Sequence, residues 1–332
     1  MKRFTGLKVA AAAAALVLTA TACGNAGSTG SSGSGDAGAK KKIEILQFVT
    51  HDALDATNKG FIKGLEANGF PADKVQINQL NGAGDNSNVT QMATKISQSS
   101  PDLVFAIATP AAQAVANTVK TAPVLFTAVT DPVGAKLVKS LDAPGGNVTG
   151  TSDANPVKEQ LELIKQLKPE AKTVGIVYSS AESNSAVQVE WAKAAAAELG
   201  LTIEAKGISA SSEVSQAASS LNVDAIYVPT DNAVVSAMAS LVKVAESKKT
   251  LVIGAEAGTV KAGAVATVGI NYEKLGEQTG AMAAKILKGE AKPESMKVET
   301  QTEYDVYVNE TAAKNIGLTL PADLVSKAVE KY

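Results

Sequence analysis

The sequence has little of what covalent and metal chemistry need. Its 332 residues include one cysteine, Cys23, and one histidine, His51. A disulfide within the chain is therefore excluded, and so is a zinc cluster built on Cys and His ligands. A Ser-His-Asp triad would have to use His51, and no Gly-x-Ser-x-Gly turn accompanies it. There is no Gly-x-x-x-x-Gly-Lys-Ser/Thr loop, and no Gly-x-Gly-x-x-Gly after the first strand. Gly82-Ala83-Gly84 lacks the third glycine and follows the second strand instead. Charge is nearly balanced, with 31 basic against 33 acidic residues and a net charge of -2. Without a basic face beyond the N-terminal region, nucleic acid is not an expected partner. Aromatic residues are scarce, at 4%. These absences predict no catalytic residues, no cofactor and no metal.

What is present begins with an export signal. Lys2, Arg3 and Lys8 are positive, and Val9 to Leu18 form an apolar run too short to span a bilayer as a mature helix. Ala20-Thr21-Ala22-Cys23-Gly24 follows. This resembles a bacterial lipobox, with Ala20 where Leu is usual, and the single cysteine falls at the position that is lipidated. The expectation is a signal peptide over residues 1–22, with lipid-bearing Cys23 as the mature N-terminus. Each buried methylene of the lipid contributes about 0.8 kcal/mol, and more than one chain anchors stably. Residues 24–39 are almost entirely small and polar, and Lys40-Lys41-Lys42 closes them, so residues 23–42 read as a lipidated flexible linker. The expected location is the extracytoplasmic face of the cell membrane.

From Lys42 onward, short β-rich runs alternate with segments whose apolar residues recur at helical spacing. Strands are expected at Lys42 to Val49, Lys74 to Leu80, Leu103 to Ala108 and Ala122 to Thr130. Helices fall between them at Leu54 to Asn68, Val89 to Gln98 (capped by Ser87 or Asn88) and Ala111 to Lys120. This grammar builds a parallel sheet with helices on both faces. Residues 136–141 read as a short helical segment, and Val148 to Thr151 as an extended crossover. The grammar then repeats, with one helix running to Ser247 and a last helix from Pro321 to about Glu330. The predicted fold is α/β: two Rossmann-like lobes with parallel sheets and helices on both faces, joined by a hinge. Lobe 1 takes residues 43–150 plus about 272–302, and lobe 2 takes 151–271 plus about 303–332.

In open α/β sheets, ligands bind beyond the carboxyl ends of the strands. The polar strand ends place Phe48, His51, Thr109, Thr130, Asp131, Tyr178, Glu182, Asn184, Ser185, Asp231, Asn232 and Glu256 around one cleft. A small zwitterion suits them. Its ammonium needs a carboxylate acceptor in a partly dry site, and Asp231 and Glu182 are the candidates. Its carboxylate is served by hydroxyls and helix N-terminal amides at Thr109, Thr130 and Asn184-Ser185. Phe48, Tyr178 and Phe126 offer apolar faces, with Phe126 the readiest to be core. Carboxylates Asp52, Asp131, Glu182, Asp231 and Glu256 near strand ends leave a hydrolase with an acidic pair open as a second reading.

Some motifs go further. They include His51-Asp52-Ala53-Leu54-Asp55, Gly60-Phe61-Ile62-Lys63-Gly64-Leu65 and Gly84-Asp85-Asn86-Ser87-Asn88. Ala108-Thr109-Pro110-Ala111-Ala112-Gln113 and Phe126-Thr127-Ala128-Val129-Thr130-Asp131-Pro132-Val133-Gly134 continue them. Gly145-Gly146-Asn147-Val148-Thr149-Gly150, Glu182-Ser183-Asn184-Ser185, Pro229-Thr230-Asp231-Asn232 and Gly269-Ile270-Asn271-Tyr272-Glu273-Lys274-Leu275-Gly276 complete the set. Together they resemble the tryptophan/tyrosine-binding family of ABC-importer solute-binding lipoproteins, over essentially all of Ile43 to Gly317. The resemblance implies the periplasmic-binding type I fold, with lobes that close on a ligand by hinge motion. It implies an ABC permease and ATPase as partners, an aromatic amino acid as the favoured ligand, and no enzymatic activity. Few aromatics leave another amino acid or small polar solute open, and a sensing module for a signalling partner would use the same closed form.

Overall fold

The computed structural model describes residues 39–332. The signal peptide, Cys23 and nearly all of the expected linker lie outside the described residues. Lobe 1 begins with β1 (Lys41–Gln47), α1 (Asp52–Ala67), β2 (Val75–Asn81) and α2 (Asn86–Gln98). It continues with β3 (Leu103–Ile107), α3 (Thr109–Thr118), β4 (Val124–Val129) and β5 (Val148–Ser152). Every residue of β3, β4 and β5 is buried. Strands of a parallel sheet covered on both faces have no solvent side, so their sequences run apolar without alternation.

Lobe 2 opens with α4 (Val157–Leu167), β6 (Thr173–Ser179), α5 (Ser183–Glu198), β7 (Thr202–Ile208), α6 (Val214–Ser220) and β8 (Ala225–Val228). Next come α7 (Asn232–Ser236), α8 (Met238–Ser247), β9 (Leu251–Gly254), α9 (Ala257–Lys261) and β10 (Ala266–Gly269). The chain then returns to lobe 1 as α10 (Tyr272–Leu287) and β11 (Glu299–Thr300). It ends in lobe 2 with β12 (Asp305–Val308), α11 (Glu310–Asn315), α12 (Ala322–Lys327) and β13 (Ala328–Lys331). Strand orders are β11-β5-β4-β3-β1-β2 and β13-β12-β10-β9-β8-β6-β7. The first sheet is parallel throughout, and the second is parallel except where β12 runs against β10. The crossings between lobes fall at residues 153–156, 270–271 and 301–304.

Returning α10 to lobe 1 requires a close helix pair. A Cβ on Gly60 or Gly64 of α1 would lie 2.0 or 2.2 Å from a backbone carbonyl of α10, and one on Gly276 or Gly280 of α10 would meet α1 at 2.1 or 2.4 Å. Only glycine permits this backbone-on-backbone approach. Beneath the seam Phe61 stacks on Phe105, with ring centroids 3.8 Å apart. No helix among the described residues is long and apolar enough to cross a membrane.

Several local expectations are corrected. Residues 136–141 form turns rather than a helix, and Lys136 sits at φ 61°, outside the helical region. The cap of α2 is Asp85, whose carboxylate accepts from the Asn88 amide, rather than Ser87 or Asn88. The Val148 stretch is a full strand paired to both β4 and β11, so the crossing begins only at residue 153. The helix expected up to Ser247 breaks at Ala237. The last helix ends at Lys327, because residues 328–331 pair with β12 as an edge strand. Pairing with a strand some twenty residues away leaves no local mark in the sequence.

Candidate functional site

The carboxyl ends of both sheets face one another across a cavity of about 20 Å³, room for about one water molecule. Lobe 1 contributes His51, Leu54, Ala128 and Thr130, and lobe 2 contributes Asn184, Thr230, Asp231, Asn232 and Glu256. Asp153 and Tyr272, from the first crossing and the start of α10, also line the cavity, as do Ala53 and Val235. Two alanines here have left-handed backbones, Ala108 at φ 79° just beyond β3 and Ala128 at φ 51° in β4. The pairing of β4 with β5 shifts register between Phe126 and Val129. Such a bulge re-aims the strand, and strained non-glycine residues concentrate where ligands are handled.

Lobe 2 supplies a pair of neighbouring carboxylates. Asp231 accepts from the Val234 amide at 2.9 Å, capping α7, and from the Ser179 amide at 2.5 Å. Glu182 accepts from the Asn232 side chain, from the Ala233 amide at 3.2 Å and from Asn184 Nδ2 at 3.2 Å. Burial raises both acids, and the negative charge of Asp231 helps push Glu182 up to about 7. Burial also raises Glu256 to about 7, against the Gly258 and Thr259 amides that its carboxylate accepts at 2.6 and 2.9 Å. Asp153 is raised by burial, although Thr130 Oγ1 and the Tyr272 hydroxyl donate to it at 3.0 and 2.8 Å.

No lysine or arginine lines this cavity among the described residues. Arg3 is the only arginine in the sequence and lies outside the described residues. The His51 ring reaches across the lobes, with Nε2 3.1 Å from Asn232 Oδ1, and burial lowers its pKa, so it is neutral. His51 Nδ1 and Asn184 Oδ1 are buried and find no hydrogen-bond partner in the protein. The cavity therefore carries carboxylates and unpaired acceptors with no basic counterpart. A buried set of this kind is completed by a ligand that brings positive charge and hydrogen-bond donors.

The other expected site residues lie around this centre. Phe48 lines an adjoining groove of about 360 Å³, which also touches Glu182 and Asn232. Thr109 is buried at the first turn of α3, with its hydroxyl unpaired. Asp131 turns back on its own loop and accepts from the Gly134 amide at 2.8 Å. Ser185 is buried on α5 behind Asn184. Tyr178 is half-buried against the lobe 2 core, and Phe126 is fully buried in the lobe 1 core. Asp153, Thr230 and Tyr272 escaped the sequence reading. Asp153 obeys the rule that found the rest, a polar residue just past a strand, and was hidden because β5 read as a crossover.

A profile of the ABC transporter substrate binding protein family matches residues 42–332. The chain is 43% identical over 286 residues to a tyrosine-binding protein of Clostridioides difficile, covering 85% of this chain and 83% of the relative. It superposes with a TM-score of 0.86 on the ABC domain of Streptococcus pneumoniae in complex with L-Trp, at 40% identity, covering 89% of this chain and all of that one. At 47% identity it matches the ligand-free, open structure of a Clostridium difficile substrate binding protein with adhesive properties. That match covers 87% of this chain and 98% of the other, with a TM-score of only 0.68. The chain belongs to the ABC transporter substrate binding protein family. It is a ligand-binding protein of ABC transport, and its two mostly parallel α/β lobes have the type I periplasmic-binding architecture.

Proposed function

We propose that the protein captures an aromatic amino acid, tyrosine or tryptophan first, between its two lobes and delivers it to an ABC permease driven by its ATPase. The observation that carries this reading is the acceptor-lined cavity between the strand ends, which no lysine or arginine among the described residues lines. An α-ammonium supplies the missing charge and donors. The ligand carboxylate, with no arginine to clamp it, turns to hydroxyls and amides, for which unpaired Thr109 at the first turn of α3 is suited. The relatives, a tyrosine-binding protein and a domain in complex with L-Trp, support the aromatic choice.

A cavity of about 20 Å³ admits no amino acid unless the lobes part. The better superposition on the ligand-bound relative than on the more identical open one supports lobe closure about the crossings as the capture step. A lipid on Cys23 holds the body at the extracytoplasmic face, and the ligand is released unchanged. Calorimetric titration of the folded body, residues 40–332, with the twenty amino acids tests this. Binding of Tyr, Trp or Phe, with the ligand recovered intact, is expected. Binding of none of the three would overturn the aromatic reading, and a consumed ligand would overturn the transport one. Mass spectrometry of the membrane-extracted protein, with and without Cys23→Ala, tests the anchor.

A further inference from the structure

We propose that Gln188 is a positioning residue which holds the cavity wall in an acceptor-only orientation, so that the site selects ligands whose buried head carries hydrogen-bond donors. This rests on the amino-acid reading above and adds how the selection is built. Gln188 is fully buried on α5 and does not line the cavity. Its Oε1 accepts from the Thr230 amide at 3.0 Å and from the Thr230 hydroxyl at 2.9 Å. Its Nε2 donates to the Asn184 carbonyl at 2.8 Å and to the Thr230 carbonyl at 3.4 Å. Thr230 is thus gripped at its amide, carbonyl and hydroxyl by one side chain, and its hydroxyl hydrogen points into lobe 2.

The facing groups are committed in the same sense. Across the cavity the Thr130 hydroxyl donates to Asp153. Thr130 Oγ1 and Thr230 Oγ1 stand 3.4 Å apart, within reach of one another; with Thr130 donating to Asp153 and Thr230 to Gln188, both offer lone pairs to a ligand donor beside them. Asn184 Nδ2 donates to Glu182 at 3.2 Å and to the Thr230 carbonyl at 3.1 Å, which turns its unpaired Oδ1 outward. Asn232 Nδ2 donates to Glu182, so its Oδ1 must accept from His51 Nε2–H, and the unpaired His51 Nδ1 is an acceptor too. Thr130, Thr230, Asn184 and His51 all present lone pairs to one small space. Gln188 sets Thr230 directly and braces Asn184 through its carbonyl.

The test compares L-tyrosine with 3-(4-hydroxyphenyl)propionate, the same molecule without its ammonium, by calorimetry on wild type, Gln188→Met and Gln188→Glu. The wild type should prefer tyrosine strongly. Gln188→Glu, kept protonated by burial, retains an acceptor oxygen toward the Thr230 hydroxyl and a donor toward the Asn184 carbonyl, and should keep that preference. Gln188→Met frees the Thr230 hydroxyl to turn and donate, and should shrink the preference by roughly tenfold, the equivalent of about one hydrogen bond. A residue that only supports the fold would weaken both ligands alike, so an unchanged ratio in Gln188→Met overturns the assignment. If that variant does not fold, Thr230→Val carries the same expectation, and an unchanged ratio there overturns it. A wild type that binds tyrosine with unaltered ratios in the variants refutes this assignment alone. A wild type that binds no aromatic amino acid refutes the function and the assignment with it.

Discussion

Gly276→Ala tests whether the α1–α10 seam holds lobe 1 together. The added Cβ would lie 2.1 Å from the Thr57 carbonyl oxygen and 2.9 Å from the Phe61 nitrogen, where ordinary contact begins at 3.4 Å. The helices must therefore separate by the difference between 3.4 and 2.1 Å, about 1.3 Å. Both obstructing atoms are backbone, so no side chain can rotate away. Gly60, Gly64 and Gly280 make equally close approaches, so the gap would open along the whole seam and loosen packing over Phe61. Alanine in a helix interior favours folding by about 1 kcal/mol relative to glycine. Overpacking costs about 1–3 kcal/mol, and a backbone clash belongs at the upper end. The net expectation is a destabilisation of about 1–2 kcal/mol, a fall in Tm of roughly 2–3 °C for a body of this size. Differential scanning calorimetry measures it. Gly146→Ala is the control, since nothing lies within 4 Å of its Cβ, and it should be neutral to within about 0.5 kcal/mol. A Gly276→Ala protein as stable as wild type would show that the helices slide apart freely, and the reasoning would fail.

Three further outcomes follow from the site. Burial holds Glu182 and Glu256 near pH 7 in the ligand-free cavity, and an ammonium ligand favours their ionised forms. Affinity should therefore fall as pH drops from about 8 to 6, by at most about tenfold per unit for each carboxylate, with protons released on binding. His51, neutral through burial, would on charging repel the ligand and act in the same direction, so a flat affinity profile across this range would contradict the site. Tyr272→Phe removes the donor that Asp153 accepts at 2.8 Å. It should cost about 1–3 kcal/mol in urea unfolding, and no loss would mean that Asp153 is satisfied otherwise. Lys261→Ala breaks an exposed pair with Asp52 at 2.7 Å that spans the lobes. Stopped-flow dilution should show faster ligand release at low salt, a difference that disappears near 1 M salt, where screening acts within about 3 Å. An unchanged release rate at low salt would mean that the pair does not hold the lobes.

Much of this protein is written in its local sequence. The alternation of β-rich runs with helical periodicity specifies parallel α/β lobes, because a parallel sheet must be buried on both faces and its crossovers need helices. Polar residues after strands marked His51, Thr130, Asn184, Asp231, Asn232 and Glu256, and all six line the cavity. With one cysteine and one histidine, an internal disulfide and a Cys/His zinc cluster are excluded by the sequence alone. Tertiary structure decided the rest. Whether Val148 to Ser152 is a strand depends on β4 and β11 lying alongside, and β13 exists only because the edge of β12 is open to it. Asp231 and Glu182, expected as acceptors for a ligand ammonium, also hold amides and side chains of their own lobe. The polarity of the cavity rests on Gln188, Asp153 and Asn232, each committing a neighbour's hydrogen in a set direction. Hydrogen-bond direction is a property of atoms brought together from distant segments, and residue type alone leaves a threonine hydroxyl free to donate or accept.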